Sequence, residues 1–270
     1  RKITSAMKMV ASAKLHKAQA AIESMLPYER RLHHILTDFM SNCTEVTSPF
    51  IVKREVKKVA VVVFASNTSL CGGFNANVIR HLVDLLAEYK PLGLENILVF
   101  PVGKKVADAV RKLGFRIEGD FQHMADKPSY QEAADLAADL MKRFLHGDVD
   151  KVELLYNHFK STASQILTRE TYLPIDLNNE KKEEERTIDY ILEPSAEELM
   201  QEMLPKVLRM KMFTVLLDSN AAEHAARTMA MQIATDNANE LLQELTVMYN
   251  KSRQQSITNE LLDIVGGSMA

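Results

Sequence analysis

The chain has 270 residues, of which 46% are hydrophobic and 26% charged, which is enough apolar material for one or two packed domains. Its formal net charge of −3 excludes a chain that binds nucleic acid through its overall charge. The two cysteines, Cys43 and Cys71, form neither a disulfide framework nor a metal site, and no apolar stretch approaches the roughly 18 residues of a membrane span.

A long helical pattern opens the chain. Residues 1–26 contain neither glycine nor proline, and apolar side chains recur every three or four positions along one face. The pattern continues past Pro27, where we expect a kink or a restart, and fades near residue 42. We therefore predict a coiled-coil helix over residues 1–42 and a linker over residues 43–57. The apolar face consists of Ile3, Met7, Ala11, Leu15, Ala18, Ile22 and Met25.

The start of this helix is basic, because residues 1–22 carry five cations and no acid. Such a segment fits a mitochondrial transit peptide, a membrane-surface helix or a phosphate-binding arm. A solvated basic face, or a face that meets an acidic protein, fits equally well. The residues alone leave these interpretations open. The cations are Arg1, Lys2, Lys8, Lys14 and Lys17.

Strands and helices alternate in the middle of the chain. The β-branched run at residues 59–64 is typical of a strand buried on both faces. The alternation predicts a Rossmann-like α/β domain over residues 58–194 with a mainly parallel sheet. Further strands are predicted at 97–100, 115–121, 152–156, 166–173 and 188–192, and helices at 78–86, 104–113 and 130–145, with a solvated charge run at 180–186.

The final part of the chain is one unusually long helical pattern. Residues 221–265 contain no glycine or proline and would alone form a helix of roughly 65 Å. A helix of that length must pair with another long helix or project from the body. We predict a coiled-coil helix over residues 195–270, capped near Ser195 and bent or interrupted at Pro205. Its apolar stripe includes Met229, Ile233, Leu241, Leu245, Met248, Ile257, Leu261 and Ile264.

The predicted fold is therefore α/β plus a long antiparallel coiled coil. The N- and C-terminal helices pair with each other, and the Rossmann-like domain lies between them in sequence. The alternative interpretation is that each terminal helix is an ordinary amphipathic helix packed on a globular core.

A glycine turn at Cys71-Gly72-Gly73 follows a buried strand and precedes a helix, where phosphate-binding loops lie in α/β folds. It matches neither G-x-G-x-x-G nor the lysine-bearing P-loop, so we expect a tight turn rather than a nucleotide site. Cys71 has no nearby candidate base, and the histidines are scattered. We predict no catalytic, cofactor or metal site. A stand-alone α/β nucleotide-binding enzyme with helical arms is the alternative.

Three separated motifs resemble the signatures of the gamma subunit of F-type ATP synthases, and together they span nearly the whole chain. They are Lys2-Ile3-Thr4, Ala6-Met7-Lys8-Met9-Val10-Ala11 and Ala13-Lys14-Leu15 near the start, Leu70-Cys71-Gly72-Gly73-Phe74-Asn75 in the middle, and Glu223, Ala226-Arg227, Ala230-Met231, Ala234-Thr235-Asp236-Asn237-Ala238, Tyr249-Asn250-Lys251, Arg253-Gln254, Ile257-Thr258 and Glu260 towards the end.

The chain departs from the family pattern at one triplet. Relatives usually carry Asp-Arg-Gly or Asp-Lys-Gly before the central motif, where this chain has Asn67-Thr68-Ser69. The regulatory cysteine pair of the chloroplast form is absent. The chain begins about twenty residues into the family's N-terminal helix, so its basic start is more simply the middle of that helix than a transit peptide.

The resemblance implies a non-catalytic rotor shaft of a proton-translocating ATP synthase. A bacterial source is favoured, because neither a transit peptide nor the chloroplast insert is found. The two helices would enter a ring of three alpha and three beta subunits, and the α/β domain would lie on the c-subunit ring beside the epsilon subunit. ATP would be made and hydrolysed on beta. The chain would be peripheral, on the cytoplasmic face of the inner membrane, or on the matrix face in a mitochondrion, with no cofactor, no nucleic acid and no membrane span of its own.

The resemblance also implies partner contacts on the helices. The basic face of Lys8, Lys14 and Lys17 would meet acidic levers on beta, and the polar residues Arg253 and Gln254 would meet a catch loop on the ring. The apolar segment 261–269 would suit a hydrophobic bearing. The full set of expected partner contacts is Met7, Lys8, Lys14, Lys17, Arg227, Asp236, Arg253, Gln254, Thr258 and Glu260.

Overall fold

The structure, a computed structural model, describes residues 2–42, 48–175 and 196–268. The predicted strand at 188–192, the charge run at 180–186 and the proposed cap Ser195 lie outside the described residues. The elements in chain order are α1 (Lys2–Asn42), β1 (Val59–Phe64), α2 (Phe74–Tyr89), β2 (Ile97–Val102), α3 (Lys104–Leu113), β3 (Arg116–Ile117), α4 (Gln122–Asp126), α5 (Tyr130–His146), β4 (Lys151–Ser161), β5 (Ser164–Leu173) and α6 (Ala196–Ser268).

The sheet has five strands in the order β3-β2-β1-β4-β5. The first four run parallel, and β5 returns antiparallel to β4 as a hairpin. The prediction of a mainly parallel sheet is confirmed. Strand β1 lies in the middle because its β-branched side chains suit a position covered on both faces.

Alternate side chains of β1 point into two separate cores. Val59, Val61 and Val63 pack with α2 and α3 on one face. On the other face Val62 and Phe64 pack with α5 and with the first part of α6. The long C-terminal helix is therefore part of the α/β domain before it becomes part of the helical pair.

The segment predicted as a strand over residues 115–121 is extended only at Arg116–Ile117. Gly119 has a φ of +75°, a left-handed conformation that cannot continue a β-strand, and helix α4, which was not predicted, begins three residues later. Gly114, in contrast, ends α3 in the left-handed conformation expected of a C-cap glycine.

Neither proline ends its helix, so the expected interruption at Pro205 and restart at Pro27 are wrong. Helix α6 has 73 residues, which corresponds to about 110 Å. Around Pro205 the side chains of Leu204 and Leu208 are buried against the sheet. This packing offsets the missing backbone hydrogen bond.

Helices α1 and α6 form an antiparallel pair, as predicted. Leu15 and Ala18 of α1 pack on Ala221 and Ala225 of α6. Further along, the Thr235 hydroxyl lies 2.9 Å from that of Thr4. Residue numbers rise along α6 as they fall along α1, so the two helices are antiparallel. The small alanine side chains let the two backbones approach closely.

The large residues of the apolar stripe predicted along α6 are exposed in the structure. Met229 and Ile233 are 41% and 52% exposed, and the contact with α1 is made by the alanines of α6 at positions 221 and 225. Ile3 of α1 is 76% exposed. Residues 239–264 of α6 are all exposed in this structure and follow the contact between Thr235 and Thr4 of α1. We call residues 239–264 the tip segment.

Candidate functional site

The carboxyl ends of the parallel strands are covered by the chain's own helix. Ligands of open α/β sheets bind at this edge, where the strand order reverses. Here the amide of Asn220 on α6 donates a 2.9 Å hydrogen bond to the carbonyl of Ala125. The cavity beside Phe64, Val102 and Glu223 is about 10 Å³, roughly the room that one water molecule needs. At these residues α6 occupies the place that a ligand takes in open α/β sheets.

The glycine turn is tight, as expected, but its main partner is α6. Cys71 and Phe74 are buried against Ala222 of that helix. Gly72 has a φ of +60°, and a side chain there would reach within 3.8 Å of the Cβ of Ala230. The turn therefore attaches the sheet to the long helix instead of opening towards a ligand.

Asn67 holds the loop that precedes this turn. Its amide nitrogen donates to a carboxylate oxygen of Asp126 at 2.7 Å and to the carbonyl of Gln122 at 2.8 Å. Its oxygen accepts a 2.8 Å bond from the backbone N–H of Lys104, at the start of α3. An aspartate at this position would face the carboxylate of Asp126, so the amide suits this chain better than the usual family acid.

Arg227, one of the expected partner contacts, is engaged within the chain. Its Nη1 donates to the carbonyl of Ser69 at 2.5 Å, and its Nη2 donates to the carboxylate of Glu223 at 2.7 Å. The two side chains are only 12% and 9% exposed. Burial raises the pKa of Glu223, although the bond from Arg227 acts in the opposite direction.

His224, beside Glu223, is a buried histidine that sequence reasoning did not single out. Burial, together with the nearby charges of Lys14 and Arg227, lowers its pKa to about 4. Its Nδ1 is buried and has no hydrogen-bond partner within the described ranges. The imidazole is therefore neutral at physiological pH and belongs to the packing between the sheet and the helical pair.

The remaining expected contacts fall into two groups. Along the paired helices Met7 is half-buried, Lys8 binds the side chain of Gln232, and Lys14 and Lys17 are exposed. The Asp236 carboxylate accepts two 2.8 Å contacts from Gln232. On the tip segment the exposed set comprises Arg253, Gln254, Thr258 and Glu260. The structure thus presents a basic surface on α1, where it pairs with α6, and a mixed polar surface on the tip segment of α6.

The tip segment also exposes large apolar side chains. Leu245, Met248 and Tyr249 are 52%, 62% and 67% exposed, and Leu261 is 57% exposed. Large exposed apolar side chains are typical of a surface that another helix or another protein covers. Its hydroxyl groups bond locally, as when Thr258 donates to the carbonyl of Gln254 at 2.9 Å. In this structure the segment exposes both apolar and polar groups.

The described residues contain neither a metal-binding cluster nor a membrane-spanning helix. No cluster of three or more histidine, cysteine or acidic side chains is close enough to hold a metal ion. In the same part of the chain, no helix is apolar over a long enough stretch to cross a bilayer.

These features define the class of protein: a sheet-bearing domain fixed to a long helical shaft that extends beyond it. A family model described as ATP synthase matches residues 1–270. A protein of Phocaeicola vulgatus named ATP synthase gamma chain is 81% identical over 272 residues, covering all of this chain and 94% of the relative. The chain belongs to the ATP synthase gamma chain family.

Other bacterial relatives and two solved structures agree. Proteins named ATP synthase gamma chain from Bacteroides fragilis and Parabacteroides distasonis are 64% and 51% identical, covering 100% and 99% of this chain and 94% and 92% of their own lengths. A central stalk and c-ring structure of the Tetrahymena thermophila mitochondrial ATP synthase has a TM-score of 0.61 at 22% identity, with 86% of this chain and 99% of that chain covered. A Euglena gracilis mitochondrial ATP synthase structure has a TM-score of 0.56 at 20% identity, with coverages of 100% and 93%. Both structures share the fold.

Proposed function

We propose that the chain is the non-catalytic rotor shaft of a bacterial F-type H⁺-transporting ATP synthase. It couples ion-driven rotation of the c-ring to ATP synthesis or hydrolysis on the beta subunits. The observation that carries this proposal is α6, which runs without a break from the buried face of the sheet to the exposed tip segment. A torque applied to the sheet domain reaches the tip through one continuous helix.

The tip segment supports contact with the ring of alpha and beta subunits. Its exposed apolar residues suit a hydrophobic bearing in the ring, and Arg253 and Gln254 offer polar groups that a loop on the ring can bind. Lys14 and Lys17 supply an exposed basic surface on the paired section, which suits an acidic lever on beta.

The sheet domain, at the opposite end of the shaft, is the part that we assign to the c-ring and the epsilon subunit. We accordingly assign the chain to the cytoplasmic face of the inner membrane as a peripheral subunit. The proposal depends on asymmetry. One shaft cannot make identical contacts with three equivalent catalytic subunits, so its orientation favours a different conformation in each of them.

The stand-alone enzyme is the competing function. It is not favoured, because α6 packs on the edge of the sheet where a nucleotide would bind, and the cavity beside Phe64, Val102 and Glu223 at this edge is about 10 Å³. Calorimetry of the isolated chain with ATP and with NAD tests this point directly. We expect no heat of binding for either ligand, and saturable binding of either one would favour the enzyme.

Reconstitution tests the rotor assignment. The chain is co-expressed with the alpha and beta subunits of a Bacteroides relative, and the purified complex is fixed to a surface through beta. We expect this chain to copurify, and a bead attached to its sheet domain to rotate when ATP is added. An alpha–beta ring that purifies without the chain, or a bead that stays still in a complex that hydrolyses ATP, would contradict the proposal.

A further inference from the structure

We propose that Glu223, Arg227 and the carbonyl of Ser69 form a latch that makes the sheet domain and the helical pair turn as one body. The inference rests on the proposed function and names the joint through which torque passes. It assigns Arg227 an intramolecular positioning role in place of a contact with another subunit.

The latch joins two parts of the chain that are 158 residues apart in sequence. One guanidinium nitrogen of Arg227 binds the loop before the glycine turn, and another binds Glu223 one helical turn back on α6. The fork geometry of arginine allows it to make both bonds at once. The loop is thereby tied to the helix by a charged group whose own position is fixed by a second charge.

The direction of these bonds matters because the neighbouring glycine turn meets α6 through apolar contacts. Cys71 and Phe74 pack on Ala222 of α6. Apolar packing resists separation of the two surfaces but is non-directional, so it resists sliding less well. Hydrogen bonds weaken steeply when they are misaligned. The bonds of Arg227 therefore oppose rotation of the sheet domain about the helix axis.

Burial strengthens the ion pair within the latch. The side chains of Arg227 and Glu223 are 12% and 9% exposed, so their attraction is screened less than at the surface, whereas the bond from Arg227 to the Ser69 carbonyl is exposed. Loss of Arg227 alone would leave the carboxylate of Glu223 buried without its partner, which is a costly state. Burial already raises the pKa of Glu223 with Arg227 present.

Helix α6 contains its own control pair. Glu202 and Lys206 have the same i,i+4 spacing, but their side chains are 76% and 58% exposed and 3.5 Å apart. An exposed pair of this kind contributes little to stability. Lys206→Met is thus the matched control for Arg227→Met.

Hydrogen exchange of the isolated chain gives the first readout. For Arg227→Met we expect the amides of Phe74, Lys104 and Lys105, which donate hydrogen bonds to acceptors in or beside the loop, to exchange roughly tenfold faster or more, since a hydrogen bond to a charged group is lost. Lys206→Met should leave these amides unchanged. Arg227→Lys keeps the charge but cannot fork between both acceptors, so its exchange should be intermediate.

Coupling in the reconstituted complex gives the second readout. In the complete complex, reconstituted with its c-ring and the rest of the membrane sector into vesicles, we expect Arg227→Met to assemble and hydrolyse ATP, but to pump at least twofold fewer protons per ATP than the wild type. Faster loop exchange with unchanged coupling would overturn the latch as a torque joint. Unchanged exchange would overturn it altogether. If instead the wild-type complex fails to rotate, the proposed function fails and not the latch.

A double variant separates the latch from simple folding stability. Replacing a buried ion pair by apolar residues of similar volume is often neutral for stability. Glu223→Met with Arg227→Met therefore removes the buried charge problem while still removing the bond to Ser69. We expect this variant to fold and assemble normally and to remain poorly coupled. Wild-type coupling in the double variant would overturn the proposal.

Discussion

Two stretches of the same helix behave in opposite ways. Between residues 200 and 231 most α6 side chains are buried against the sheet or α1, whereas every residue of the tip segment is exposed. Leucine and methionine recur at helical spacing in both stretches. Periodicity therefore identifies a helix, but it does not tell whether the apolar face is covered by the same chain.

The polar side chains of the two stretches differ in the same way. In residues 200–231, which we call the lower stretch, Asn220 and Arg227 bind groups from distant parts of the chain. In the tip segment Thr246 and Thr258 bond back to carbonyls one turn earlier in the helix. These side chains of the lower stretch hold distant parts of the chain together, whereas those of the tip segment bond only within their own helix.

The largest expected effect comes from a matched pair of leucine substitutions. Leu216 is 1% exposed in the lower stretch, and Leu245 is 52% exposed in the tip segment. We expect Leu216→Ala to lower the free energy of unfolding of the isolated chain by about 3 kcal/mol, and Leu245→Ala to change it by less than about 0.5 kcal/mol. Urea unfolding measures both. Similar losses in the two variants would remove the contrast between the stretches.

The second effect is a pH dependence confined to the lower stretch. Burial, with Lys14 and Arg227 nearby, lowers the pKa of His224 to about 4 from an ordinary 6.5. The unfolded chain therefore binds a proton at His224 more readily than the folded chain does. The contribution of neutral His224 to the free energy of unfolding is complete above pH 6.5 and is lost as the pH falls towards 4. Acidification from pH 7 to 5 should lower the free energy of unfolding by about 2 kcal/mol through this group.

The comparison of wild type with His224→Gln isolates that contribution. The raised pKa of Glu223 acts in the opposite sense, because protonation of a buried carboxyl favours the folded state, but it is present in both proteins. The difference in unfolding free energy between the two should therefore shrink by about 2 kcal/mol from pH 7 to 5. A constant difference would show that His224 is not the group responsible.

A smaller effect is expected at the loop that meets the lower stretch. Asn67→Asp replaces the donor to Asp126 by a carboxylate at a contact of 2.7 Å. We expect a loss of about 1 kcal/mol in the free energy of unfolding at pH 7, since the contact is exposed and partly screened. Protonation of the carboxyl introduced at position 67 should reduce the loss, so the deficit should be smaller in acid than at pH 7. A deficit that does not change on acidification would contradict this explanation.

The smallest effect on the isolated chain belongs to the tip segment and to the basic face. Arg253→Ala and Lys17→Glu change exposed side chains, so the free energy of unfolding should stay within about 0.5 kcal/mol of the wild type. In the reconstituted complex we expect Arg253→Ala to slow ATP turnover and Lys17→Glu to weaken coupling. Wild-type turnover and coupling would remove these residues from the contact surface.

Local signals predicted local structure well. Helix α3 and its C-cap glycine, and the buried strand β1, follow directly from capping chemistry and a β-branched run. The predicted strand over 115–121 was too long, because a positive φ at Gly119 is a backbone property that the surrounding residues do not reveal.

Long-range pairing was harder to predict. The motifs identified Arg227, but its partner at Ser69 is a backbone carbonyl in a distant loop, and any residue can supply one. Large apolar side chains such as Met229 suggested the seam of the helical pair, whereas the alanines at 221 and 225 form it. Small residues carry a weak hydrophobic signal although they permit the closest approach of two backbones.

The pairing of the two ends of the chain also has a consequence for biosynthesis. Leu15 of α1 emerges from the ribosome 210 residues before Ala225, the residue on which it packs (225 − 15 = 210). At about 5–20 residues per second, this delay is on the order of ten to forty seconds. During translation the first helix must therefore wait with its apolar face uncovered, which makes the nascent chain a natural client for a chaperone that shields such faces until synthesis is complete.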